Sequence, residues 1–175
     1  MRVFNALLCS LVVVATTPLT YTAKLDTAAS PVLAGRHVGT LPQAVRLFGK
    51  PDDVRPVAGG QPMCLASWRR HGLELRFHSA HAGACGTSDL GSWSQVTMRA
   101  LQWHTRLGLH VGDSESKLSS LYPDARSLRF LELGDARELE TGGPLCDGGP
   151  PLALAARIVS GQVGALVVVH VPACG

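Results

Sequence analysis

From Leu73 to Phe77, apolar Leu73, Leu75 and Phe77 alternate with Glu74 and Arg76. A period of two predicts a strand with one packed and one wet face. Cys64 to Trp68 reads as its partner strand, and Arg69-Arg70-His71-Gly72 as the hairpin turn between them, with the glycine last. The Gly/Ser-rich stretch 82–94 reads as a loop. Beyond it Val96, Met98 and Ala100 alternate with Thr97, Arg99 and Leu101, predicting a third strand that runs on towards Trp103. Ahead of these strands, Leu41, Ala44, Val45 and Phe48 fall on one face of a short helix. Thr40-Leu41-Pro42-Gln43 forms a capping box, Gly49 suits the helix terminus and Pro51 prevents continuation. So short a helix must be held by packing on a sheet.

The same order recurs further on. Asp113 or Ser114 caps a helix that carries Leu118 and Leu121 inward, and Pro123 stops it. Leu128 and Phe130 alternate with Arg129 and Leu131 in a strand-like run from Ser127 to Leu133. The Gly-, Pro- and acid-rich stretch 135–151 reads as an exposed loop. A final hairpin runs from Leu152 to Val159, turns at Ser160-Gly161 and returns from Val163 to Val171. The unalternating run Leu166-Val167-Val168-Val169 predicts a strand with both faces covered or one central in the sheet. The expected fold class is therefore α+β. It consists of two tandem helix-plus-antiparallel-sheet units, residues 37–106 and 107–175, with the short helices packed on one sheet face.

The N-terminus reads as an export signal over residues 1–23. Arg2 is a minimal basic start, and Val3 to Leu19 is almost uncharged. Cleavage is expected near Ala23 or as late as Ala29, followed by a linker over 24–36. A membrane association follows only if this segment stays uncleaved. The remaining chain, about 150 residues, suits one globular domain. The net charge of +3 is small, and no basic run or basic helix face points to nucleic acid.

Of five cysteines, Cys9 falls in the signal. Cys64, Cys85, Cys146 and Cys174 remain, an even count that in an exported chain predicts two disulfides. Four cysteines allow three connectivities, and the doubled pattern favours Cys64–Cys85 with Cys146–Cys174. The competing reading is a metal site at His78, His81 and Cys85, but no second short-spaced ligand pair accompanies them. No metal or cofactor is expected.

Catalytic motifs are missing from the sequence: no GxSxG elbow, no GxGxxG, no phosphate-binding loop and no HExxH. The acids Glu132, Asp135, Glu138 and Glu140 read as loop solvation, and His104 and His110 as surface or hydrogen-bonded histidines. The chain is thus expected not to be an enzyme. Few aromatic residues are present, and Trp68, Trp93, Trp103 and Phe130 are the candidates for a protein-binding face, with core packing as the alternative for those in strands.

Val38-Gly39-Thr40-Leu41-Pro42-Gln43-Ala44-Val45, followed by Phe48-Gly49-Lys50-Pro51, resembles the opening of two groups of small envelope domains. One is the SmpA/OmlA outer-membrane assembly lipoproteins, the other the β-lactamase-inhibitory-protein family of secreted tandem repeats. The resemblance implies short helices on an antiparallel sheet and, in the second group, a concave sheet that grips a protein. In sequence it is carried by residues 38–51, and weakly by those after Gly112. Each half here has one clear helix rather than two, no inhibitor contact residue maps onto this chain, and the lipidated cysteine of the lipoproteins is absent. A fold of this kind hosts many functions.

The resulting expectation is a secreted or cell-envelope binding module, non-enzymatic and possessing inhibitor-like architecture, whose sheet face meets an extracellular or envelope protein. The alternatives are a small-molecule-binding or hydrolytic secreted protein, with a deep pocket at His104, His110 or the acidic stretch, and a purely structural envelope domain.

Overall fold

The computed structural model describes residues 21–25, 31–58, 61–86, 90–130, 134–142 and 152–170. The first strands are β1 (Tyr21–Leu25), β2 (Pro31–Leu33) and β3 (Arg36–His37), and helix α1 (Leu41–Phe48) follows. Next come β4 (Asp53–Val57), β5 (Met63–Trp68), β6 (Leu73–Ser79), β7 (Leu90–Met98) and β8 (Trp103–Thr105). Helix α2 (Glu115–Leu121) precedes β9 (Arg126–Phe130), β10 (Gly134–Gly142), β11 (Leu152–Val159) and β12 (Gln162–His170).

These strands form two sheets. The larger has eight strands in the order β4-β5-β6-β7-β12-β11-β10-β9, the smaller four in the order β3-β2-β1-β8. Every pairing is antiparallel except β1 with β8. The expected α+β class of two tandem helix-plus-sheet units is therefore wrong: the described chain is mostly β, with two helices. Two features overturn it. β7 pairs with β12, setting Met98 opposite Leu166 and Val96 opposite Val168, so strands from both halves share one sheet. The smaller sheet then draws on β1 to β3 as well as β8.

That smaller sheet occupies much of the segment read as signal end and linker. Tyr21 and Ala23, and then Val32 and Leu33, alternate too briefly and among too many small residues to announce strands. Yet Ala23 and Leu33 are fully buried. The acidic stretch is likewise not all loop: 134–142 is β10, paired on both sides. β7 also starts earlier than the expected loop end, at Leu90.

Local features follow the sequence closely where capping chemistry is explicit. The Gln43 carboxamide oxygen accepts from the backbone N–H of Gly39 (2.6 Å) and of Thr40 (3.1 Å), closing the start of α1. At its end Gly49 takes φ 82° and its carbonyl accepts from the Trp68 indole at 2.7 Å. In α2 the cap is Ser114, whose hydroxyl accepts from Lys117 N at 3.2 Å. Gly72 closes the β5–β6 turn at φ 54°, and any Cβ there would meet Ala100 at 2.6 Å, so only glycine fits. Ser160 and Gly161 both have positive φ, 52° and 76°, the two-residue hairpin that matches strand twist. β12 is central, with Leu166 and Val168 fully buried.

The main core lies between the inner face of the large sheet (Trp68, Leu75, Phe77, Val96, Leu166 and Leu154 among others) and a layer made of the small sheet and the two helices. The Cys64–Cys85 disulfide is present, with a Cα–Cα distance of 5.7 Å. Cys146 and Cys174 lie outside the described residues, as do Glu132 and residues 1–20.

Candidate functional site

The inner face of the large sheet is committed to the core; on the outer face the β4–β7 part is largely exposed or half-buried, whereas Ala136, Ala153, Ala155, Ala165 and Val167 of β10 to β12 are 0–1% exposed, so the accessible surface is the β4–β7 part. Cross-strand register defines what that surface carries. One row crosses all eight strands: Asp53, Ser67, Glu74, Thr97, Val167, Ala155, Glu138 and Arg126 stand opposite one another in turn. A parallel row runs Arg55, Leu65, Arg76, Gln95, Val169 and Ala153.

The rows change character along the sheet. Across β4 to β7 they are polar and charged. Arg55 pairs with Asp53 at 3.2 Å and Arg99 with Glu74 at 3.2 Å, both pairs exposed enough to be worth little in stability. Gln95 donates to the Thr97 hydroxyl at 3.0 Å, satisfying a buried side chain. Asp53, Arg55, Arg69, Glu74 and Arg99 rim an open depression of about 370 Å³. Across β12 and β11 the same face is apolar apart from Arg157, and the row ends beyond them in Glu138 and Arg126. Ala136, Ala165 and Val167 are buried and pack with half-buried Leu128 and Val169, forming a second cluster separate from the main core. Among the described residues, that cluster draws on strands of the sheet itself. Ala153 and Ala155 on the same face are fully buried as well.

The sequence-derived anchors are elsewhere. Trp68, Trp93 and Trp103 are 2%, 4% and 0% exposed and belong to the main core, so they offer no contact surface. The physical reason is register: Trp68 shares its face with Ala66 and Cys64, and Trp93 stands opposite inward Phe77. Phe130 ends β9, with its side chain outside the described residues. The sequence reading missed the outer-face rows because they are set by pairing between β7 and β12, which no local pattern encodes.

A second, smaller depression of about 250 Å³ lies between the end of α2 and β10, lined by Arg106, Leu107, Leu121, Tyr122, Leu139 and Glu140 among others. Register explains the carboxylate there. A bulge between Glu138 and Glu140 resets the alternation, so Glu138 pairs with outward Ala155 but Glu140 with inward Leu154. The Tyr122 hydroxyl and Glu140 Oε1 are both buried without a hydrogen-bond partner. Burial raises the Tyr122 pKa above 10.0, and the charge of Glu140 adds to the rise. Thr105 opposes the rise more strongly than Glu140 adds to it, and the Leu107 backbone and Arg106 oppose it less; neither Thr105 nor Leu107 reaches hydrogen-bond geometry.

His104 and His110 do come together, with ring centroids 5.0 Å apart. Their bonds are structural. His104 Nδ1 lies 2.9 Å from the Thr105 carbonyl and so donates to it, leaving Nε2 to accept from the Thr22 hydroxyl at 3.3 Å. His78 and His81 are exposed, Cys85 is in the disulfide, and no group of three or more metal-ligating side chains occurs among the described residues. No described helix is long and apolar enough to cross a membrane.

No protein-family model, no curated protein and no solved structure matches this chain.

Proposed function

We propose that this chain is a non-enzymatic binding module that works outside the cytoplasm and presents the outer face of its eight-stranded sheet to a protein partner. The observation that carries the reading is the accessible β4–β7 part of the outer face, where the row Arg55, Leu65, Arg76 and Gln95, exposed or half-buried, lies beside Asp53, Ser67 and Glu74. Charges of both signs around the 370 Å³ depression favour a partner with its own mixed charges over a uniformly charged polymer. The Cys64–Cys85 disulfide supports an oxidising compartment. So does the leader-like N-terminus. The likeness of residues 38–51 to envelope domains agrees with it, and nothing on the sheet points to β-lactamase in particular.

The test is capture of exported proteins on the immobilised domain, followed by titration of the captured species. Leu65→Arg and Arg76→Glu, both on the outer face, are expected to weaken binding at least tenfold. Lys117→Glu, on α2, is expected to leave it unchanged. Equal loss in all three variants would sink the assignment of the face. A second reading, small-molecule binding, rests on the paired orphan oxygens of Tyr122 and Glu140 at the 250 Å³ depression. It predicts a ligand whose affinity falls on Glu140→Gln and is indifferent to Leu65→Arg.

A further inference from the structure

We infer that the exported chain is processed upstream of Tyr21, at the Ala15–Thr16 bond, and not at Ala23 or Ala29. The inference rests on the export reading above. Its ground is β1, which is an interior strand of the smaller sheet. β1 runs antiparallel to β2, with Ala23 opposite Leu33, and parallel to β8, with Tyr21 opposite Trp103 and Ala23 opposite Thr105. The Tyr21 N–H donates to the Gln102 carbonyl at 2.8 Å, and the Ala34 N–H to the Thr22 carbonyl at 3.0 Å.

The Tyr21 side chain is equally committed. Its ring centroid lies 4.9 Å from Trp103, 5.6 Å from His71 and 6.2 Å from Phe48. Its hydroxyl lies 3.1 Å from His71 Nδ1. Cleavage after Ala23 would cut β1 in the middle of its register. Cleavage after Ala29 would remove it whole, stripping β8 of its paired neighbour and uncovering a cluster of rings. Backbone groups buried by such a pairing are costly to leave unmade.

A signal peptide and this fold are compatible only if the scissile bond precedes residue 21. The upstream sequence holds a site of the required kind. Arg2 is the charged start, and Val3 to Val14 is uncharged and within the length of a signal's apolar region. Ala15 follows directly and is the alanine between Ala6 and Ala23, with Val13 two residues before it. Cuts after Thr17 or Thr20 fit worse: Pro18 directly follows the first and stands two residues before the last residue of the second. The reaction is hydrolysis by the export-linked peptidase. Water's hydroxyl goes to the Ala15 carbonyl carbon, the C–N bond breaks, and Thr16 leaves as the free amine. Residues 16–20 then tether a new N-terminus to an intact β1.

The experiment is secretion of the full chain from an exporting host, with N-terminal sequencing and intact mass of the soluble, cooperatively melting product. The expected N-terminus is Thr16, and Ala15→Phe is expected to accumulate precursor. A product starting at Lys24 or Ser30 that melts cooperatively overturns the inference, as does normal processing of the Ala15→Phe chain. A full-length chain found only in the cytoplasm overturns the export reading and the inference together, and its location tells that failure apart. Chains expressed without a leader provide an independent arm. One starting at Thr16 is expected to melt cooperatively and one starting at Lys24 is not; equal melts for the two would remove the ground for the proposal.

Discussion

The Trp103 indole N–H donates to the backbone carbonyl of His71 at 2.7 Å, and the bond is buried. It joins β8 of the smaller sheet to the β5–β6 turn of the larger one, across the ring cluster that also holds Tyr21 and Phe48. Trp103→Phe keeps an aromatic ring but leaves that carbonyl without its donor and a void beside it. We expect a loss of about 2–4 kcal/mol in urea unfolding, with near-native far-UV circular dichroism. A loss under about 0.5 kcal/mol would mean that the sheets are held elsewhere.

His71 makes the same cluster sensitive to acid. Burial holds its pKa below 6.5, and the charge of Arg70 adds to this, while the Phe48 backbone and Asp52 oppose it weakly. The folded state therefore binds the proton less readily than the unfolded chain, and the contribution of neutral His71 is fully present above pH 6.5. It is lost as the pH falls from there through the folded-state value. Denaturant midpoints at pH 7.5 and pH 5 should differ in the native sequence, and the difference should shrink in His71→Gln. A difference of the same size in both would place the titration on other groups.

Cys64 and Cys85 enclose a sequence separation of 21 residues, and closing such a loop is worth about 3 kcal/mol through the unfolded chain. Mild reduction, or Cys64→Ala with Cys85→Ala, should lower stability by about that amount, read as a shifted denaturant midpoint with an unchanged native fold. No shift on reduction would argue that the bond is unformed in solution.

The orphan oxygens give a prediction in the opposite direction. A buried hydroxyl or carboxylate oxygen without a partner costs about 1–3 kcal/mol, so Tyr122→Phe and Glu140→Leu should be neutral or stabilising. With the Tyr122 pKa raised above 10.0, its protonated form is favoured in the fold. Stability should thus fall as the pH climbs beyond about 10, and less steeply in Tyr122→Phe. Marked destabilisation by either substitution at neutral pH would show that these oxygens are satisfied in solution.

Much of the local structure was legible because its chemistry is local. Thr40, Gln43 and Gly49 mark out α1, Ser160-Gly161 a hairpin, and Leu73 to Phe77 a half-buried strand, each within a few residues. Sheet membership was not. Nothing around Met98 or Leu166 says that they pair, and this pairing, more than any single element, overturns the division into two helix-plus-sheet units. The strand at Tyr21 was hidden by the leader-like pattern in front of it, two patterns competing over adjacent residues. Trp68 and Trp103, whose strand positions favoured core packing over a role as partner contacts, serve as hydrogen-bonding core groups, to Gly49 and His71. The candidate site is legible only after register is known, since the row Arg55, Leu65, Arg76 and Gln95 exists only across four paired strands.

The most direct test of the sheet-face assignment is guanidinium footprinting of the domain with and without its captured protein partner. Arg55, Arg76, Arg99 and Arg157 share the outer face or its rim, whereas Arg36 and Arg46 border a depression beside α1 and β3. The account predicts that the partner slows modification of the first group severalfold and leaves Arg36 and Arg46 as reactive as in the free domain. Protection of Arg36 and Arg46 with the outer-face arginines unchanged would contradict it.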